Sequence, residues 1–216
     1  MSGRLIVGIV ASMALAACTT PDNPSHLGAY HVDTNGDGTG DTFRWPASRI
    51  PVRYWVDPRG NMGALVQNAI DVWQDQFMYG EYRGVIVSDS AHADVQVTWS
   101  DVVPPAVSPD PGPPVKACGG LTATDSVVGN RIAGAFHSSI NILSGSATPA
   151  QVEACVVRTV IHELGHSLGM LTDLSDPSDS ADIMYFTPLV SLPSAADRTT
   201  MQILYHTTPT LLPPLR

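Results

Sequence analysis

The stretch His162-Glu163-Leu164-Gly165-His166-Ser167-Leu168-Gly169-Met170-Leu171-Thr172-Asp173 decides how this chain is read. Residues four apart on a helix are neighbours, so His162 and His166 can aim two imidazoles at one ion. Glu163, one step round the helix, can then act as general base on a metal-bound water. Two histidines and a glutamate at this spacing arise by accident in well under ~1% of chains this long. Gly169 is the expected helix stop, since it can adopt a left-handed conformation and turn the chain sharply. After such a turn, a residue a few positions on can swing back to the metal as a third protein ligand. Thr172 is a poor zinc ligand, and the carboxylate one residue later, Asp173, is the expected one. Asp176, Asp179 and Asp182, in the same loop, are its competitors.

Towards the N-terminus, Thr148-Pro149-Ala150-Gln151 supplies an N-cap, a proline at the first helical position and a glutamine at the third. The helix therefore starts there. Val152, Val156, Val160, Leu164 and Leu168 form its packing stripe, and the two histidines face a cleft. Upstream, Leu121 to Asp125 and Arg131 to Leu143 read as two strands joined through Gly129-Asn130, a hairpin signal. Ile132, Phe136, Ile140 and Ile142 share parity and are expected in the core. His137 has the opposite parity, where it is either a solvated strand histidine or a residue of the cleft or of a second metal.

The first half of the chain supplies the remaining elements. Ile50 to Val56 reads as a strand, with Pro51 placing it near an edge or a strand start. Leu65, Val66, Ala69, Ile70, Trp73 and Phe77 recur at helical spacing, with Asn61 as N-cap. Val85 to Val87 is a short strand, and Ala93 to Trp99 alternates as a half-buried one. Six prolines between Asp101 and Pro114 leave only an extended surface loop. Ser194-Ala195-Ala196-Asp197 opens a last helix through Met201, Leu204 and Tyr205, and the tail from Thr207 is irregular.

A length of 216 residues makes one domain the default, with ample chain for a core. A net charge of −9, with 11 Lys+Arg scattered along the chain, excludes nucleic acid as the main partner. Asp33-Thr34-Asn35-Gly36-Asp37-Gly38-Thr39-Gly40-Asp41 matches the first part of a calcium loop through Asp33, Asn35, Asp37 and Asp41, with Gly38 at position six. Arg44 stands where the bidentate glutamate belongs, and an exposed turn has the same composition.

Arg4 followed by the apolar run Leu5 to Ala17 is an export signal, too short to span a bilayer as a mature helix. Leu15-Ala16-Ala17-Cys18 resembles a bacterial lipobox, which implies cleavage before Cys18 and lipid on its sulfur. Thr19 in the next position favours an outer-membrane or cell-surface anchor. The expected division is a lipoprotein signal peptide over 1–18, a tether and Asp/Gly-rich loop over 19–45, and a catalytic domain over 46–216. In an oxidising compartment Cys118 and Cys155 can pair; the alternative is two buried thiols.

His162-Glu163-x-x-His166-x-x-Gly169 followed by Ile183-Met184-Tyr185 resembles the metzincin metallopeptidases, and among them the matrixin-like bacterial members. The resemblance spans roughly residues 50–205 and is specific between His162 and Tyr185. It implies an α+β domain: a twisted mixed sheet of about five strands packed on two long helices, with a methionine turn and a C-terminal helix. Met184 matches the methionine that floors the zinc site in that family. Thr172 is a departure, because the family's third ligand stands in that position. The implied activity is zinc-dependent endopeptidase, with Zn2+ held by His162, His166 and Asp173 and with Glu163 as the base. The implied substrate is a protein or peptide bound as an extended strand against the edge near Leu121 to Asp125, by a monomer anchored to the membrane through lipid. Two other readings stay open: an inactive zinc-binding surface lipoprotein, and an amidase acting on cell-wall peptides.

Overall fold

The computed structural model describes residues 25–100, 117–143 and 147–215. Cys18, the expected export signal and the proline-rich stretch from Asp101 to Pro114 lie outside the described residues. Five strands, β1 (Val52–Val56), β2 (Gly84–Val87), β3 (Val95–Trp99), β4 (Cys118–Val128) and β5 (Arg131–Ile142), form one sheet. Their order is β2-β1-β3-β5-β4, parallel throughout except for β4, which runs antiparallel to β5 and forms one edge. Three helices accompany it: α1 (Met62–Gln74), α2 (Pro149–Ser167) and α3 (Ala195–His206). The architecture is the expected α+β one. Among the described residues no helix is long and apolar enough to cross a membrane.

Alternation along the strands sorts the two faces of the sheet. Val52 and Tyr54, Val95 and Val97, and Ile132, Phe136 and Ile140 are buried on the face that α1 and α2 cover. Helix α1 answers with Leu65, Val66, Ala69, Ile70 and Trp73, all buried as the helical spacing predicts. The indole N–H of Trp73 donates to the Ile161 carbonyl at 2.8 Å, and that of Trp45 to the Ser167 carbonyl at 2.9 Å. Two tryptophans thus hold the α2 backbone on either side of the histidine pair. Helix α3 packs through Tyr205, edge-on to Phe77 at 4.8 Å, and its Arg198 donates to Gln76.

The structure differs from the sequence reading in two places and decides a third. The folded unit begins well before residue 46, because Tyr30, Phe43 and Trp45 are fully buried and Phe43 and Trp45 stack on Phe136. These aromatics show no periodicity in sequence, since each is buried by a long-range contact. Ile142 is 54% exposed, and Asn141 is buried in its stead. The strand runs out there, and Ile142 reaches only the rim of an apolar groove shared with Leu65, Trp99 and Val152. Finally, β1 lies inside the sheet, and Pro51 marks its start rather than an edge.

Candidate metal centre

Helix α2 begins where its capping box predicts: Thr148 accepts from the Gln151 N–H, and Gln151 returns the bond to the Thr148 N–H at 2.8 Å. It ends in a turn through Gly169, whose φ of 121° no side chain tolerates easily. A Cβ at that position would also overlap the Phe43 carbonyl. The chain then doubles back. Leu174 N–H donates to the Met184 carbonyl at 2.9 Å, and Phe186 N–H to the Leu174 carbonyl at 3.0 Å. This short ladder sets Asp173 over the helix and stitches its loop to the segment carrying Met184.

Asp173, not Thr172, is therefore the residue that meets the histidines. Its Oδ1 lies 3.0 Å from His162 Nε2 and 3.1 Å from His166 Nε2, and the two Nε2 atoms are 3.1 Å apart. Both Nδ1 atoms are already committed. That of His162 donates to the Ile183 carbonyl at 2.7 Å, and that of His166 to the Met170 carbonyl at 2.5 Å. A carbonyl can only accept, so each neutral ring carries its proton on Nδ1 and turns a bare lone pair inward. Two imidazole lone pairs and a carboxylate oxygen thus converge with no donor among them. Such a trio repels itself unless a proton or a cation sits between its members. It is a donor set that zinc takes with one position left open, and the half-exposed Asp173 leaves an approach from solvent. Burial alone would depress His162, but the Asp173 and Glu163 carboxylates outweigh it and push the imidazole up to about 8. Asp173 is held well below the usual carboxylate range: burial raises it, and hydrogen bonds from His162 and His166, donated when an imidazole takes up a second proton on Nε2, more than reverse that.

Met184 is fully buried directly under this face of α2. A Cβ on Gly165 would come within 2.5 Å of Met184 Sδ and 2.9 Å of Trp73, so the floor fits only because residue 165 is glycine. The Ile183 that orients His162 is itself held by Asp197, which accepts from the Ile183 N–H at 2.9 Å and the Ser194 N–H at 2.8 Å. Burial pushes the Asp197 carboxyl up from its ordinary value.

Glu163 is 3% exposed and turns towards β4, where Thr122 Oγ1 donates to its Oε2 at 2.7 Å. Neither Thr122 nor Gly120, against which the carboxylate packs, was singled out from sequence, though both share the inward parity of β4. Cys118, on the same parity, is joined to Cys155 of α2 by a disulfide.

The competing aspartates are engaged elsewhere. Asp176 accepts from Ser178 N–H at 2.9 Å and caps the short 3-10 turn Pro177–Asp179. Asp179 and Asp182 gather round His26. His137 pairs with Asp125 at 3.1 Å, half-exposed, outside both clusters. The calcium expectation fails. Asp33 accepts from the backbone of Gly36, Asp37 and Gly38, Asn35 from Asp37, Asp37 from Thr39, and Asp41 from Thr34 and Thr210. Asp33, Asp37 and Asp41 do not converge on one point, because the loop spends its oxygens on its own backbone.

Neither a family model nor a curated protein matches the chain. Among solved structures it is similar to High choriolytic enzyme 1, a hatching enzyme zinc-protease from Oryzias latipes (medaka fish). The two are 14% identical over 77% of this chain and 95% of that one, with a TM-score of 0.41. A likeness this distant carries no functional argument, and the geometry of the site has to supply it.

Proposed function

We propose that this protein is a metzincin-like zinc endopeptidase, exported and anchored by lipid at Cys18. The observation that carries the reading is the convergence of the His162, His166 and Asp173 lone pairs beside a buried Glu163. A metal bound for structure alone has no use for a carboxylate in that place. Zinc held by the three residues would polarise a peptide carbonyl and make water acidic enough to attack it near neutral pH. Glu163 takes the proton from the attacking water and returns it to the leaving amine. His162 and His166 are kept in their working tautomers by the carbonyls of Ile183 and Met170. An extended peptide adds to the free edge of β4, where Leu121 points outward at 53% exposure while its inward neighbours meet Glu163. The Cys118–Cys155 disulfide fits an oxidising compartment outside the cytosol.

The test is zinc analysis of the purified protein with a casein and a cell-wall-peptide assay, on wild type and Glu163→Gln. One zinc per chain in both proteins is expected, with chelator-sensitive casein cleavage in wild type reduced at least about a hundredfold in the variant. Equal activity in the two removes Glu163 from the mechanism. Bound zinc without cleavage of either substrate makes the protein a zinc binder, and cleavage of cell-wall peptide alone makes it an amidase.

A further inference from the structure

The inward face of β4 presents Cys118, Gly120 and Thr122 to α2 in strict alternation, and each has a different relation to the helix. Cys118 is bonded to Cys155, two turns before the histidines. Gly120 leaves a space that the Glu163 side chain fills: a Cβ there would lie 2.7 Å from Glu163 Cγ and overlap Oε1. Thr122 reaches the carboxylate with its hydroxyl.

That hydroxyl has one hydrogen and three oxygens within reach: Glu163 Oε2 at 2.7 Å, Ser138 Oγ at 2.8 Å and the Glu163 carbonyl at 3.1 Å. The carboxylate is both the nearest and the charged one, so it takes the proton. Ser138 faces Thr122 directly across the β4–β5 ladder and is itself buried. Its hydroxyl then donates to Thr122 Oγ1, which favours the rotamer that faces Glu163. The chain runs Ser138 O–H to Thr122 O–H to Glu163 Oε2. It occupies one carboxylate oxygen, while Gly120 lets the other lie flat against the strand.

We infer that Thr122 is a positioning residue for Glu163, fixing through one oxygen the direction in which the other receives a proton, with Ser138 orienting Thr122. The inference rests on the reading of Glu163 as the base of a hydrolase. A carboxylate with two free oxygens on a flexible stem samples many directions, and general-base catalysis falls steeply when the acceptor is misaimed. A threonine at this place needs no hydroxyl for the sheet, since the backbone makes the ladder and valine fills the same volume.

The experiment compares wild type, Thr122→Val, Thr122→Ser and Ser138→Ala as zinc-loaded enzymes, with Glu163→Gln as the reference. Thr122→Val should lower kcat about 10- to 100-fold while KM, zinc content and melting temperature stay near wild type. Thr122→Ser should recover most of kcat, and Ser138→Ala should fall between. A second readout needs no catalysis. In zinc-free, carbon-13-labelled protein at a single pH, the Glu163 carboxyl resonance should move in Thr122→Val and return in Thr122→Ser. A kcat for Thr122→Val within twofold of wild type overturns the proposal, as does equal impairment of the valine and serine variants, which would mark a packing role. If Glu163→Gln is itself as active as wild type, the hydrolytic reading has failed. An unmoved carboxyl resonance beside an inactive Glu163→Gln instead condemns the Thr122 assignment alone.

Discussion

Among the described residues two clusters bring histidine and aspartate together in threes, and they are built on opposite principles. With both rings neutral, His162, His166 and Asp173 bring three acceptors to within 3.1 Å of one another, because each ring N–H is turned outward to a backbone carbonyl. His26, Asp179 and Asp182 form a self-sufficient pair plus an onlooker. His26 Nε2 donates to Asp182 at 3.0 Å, with Asp179 at 3.7 Å, and its backbone N–H donates to Thr200. The same residue types thus make a set of converging acceptors in one place and a hydrogen-bonded pair in the other. What separates them is where the ring protons go.

The largest break in this comparison comes from His162→Ala and His166→Ala. Each should take zinc from one per chain to near zero and cleavage down by about a thousandfold or more, read by metal analysis and a peptide assay. Asp173→Asn keeps the shape but removes the charge. Its zinc affinity should fall about 10- to 100-fold, with cleavage partly restored at high zinc, as a chelator-competition titration will show. Proton linkage sharpens the contrast further. In the zinc-free protein His162 holds its proton up to about pH 8, so an incoming cation must displace it. Zinc affinity should therefore climb about tenfold per pH unit between pH 6 and 8 and flatten above. The sign for stability follows: a raised histidine pKa stabilises the zinc-free fold fully below its unfolded value near 6.5 and ceases to as pH passes through about 8. The melting temperature of the zinc-free protein should fall across that window. The smallest effect belongs to His26→Ala, which should leave zinc at one per chain and cost about 1 kcal/mol, a melting shift of a few degrees.

Helix α2 was legible in sequence because its signals are local. The capping box, the apolar stripe, the histidine spacing and the Gly169 stop all lie within about six helical turns, and the structure places each as read. Asp173 was legible as a candidate among four aspartates, and only the Leu174–Met184 ladder singles it out. What sequence missed depends on contacts between distant segments. Phe43 and Trp45 look like any residues of an acidic, glycine-rich leader until Phe136 stacks on them from β5. Thr122 was one threonine in the strand expected to bind substrate, with no role of its own, until α2 brought Glu163 against it across 41 residues of sequence. The stretch from Asp33 to Asp41 stayed open between calcium and a plain turn, because Asp and Asn at alternate positions can serve an ion or their own backbone equally well, and composition does not distinguish the two.

The two indole bonds to α2 have a use in the laboratory. Trp73 grips the carbonyl just before His162 and Trp45 the carbonyl just after His166, both with fully buried rings. Two of the molecule's four native chromophores of this kind therefore bracket the turn that carries the histidine pair. Loosening of that turn, by acid or mutation, should expose one indole or the other to water. Emission colour can then be followed against far-ultraviolet circular dichroism without attaching any label, and single-tryptophan replacements with phenylalanine would tell which flank opens first.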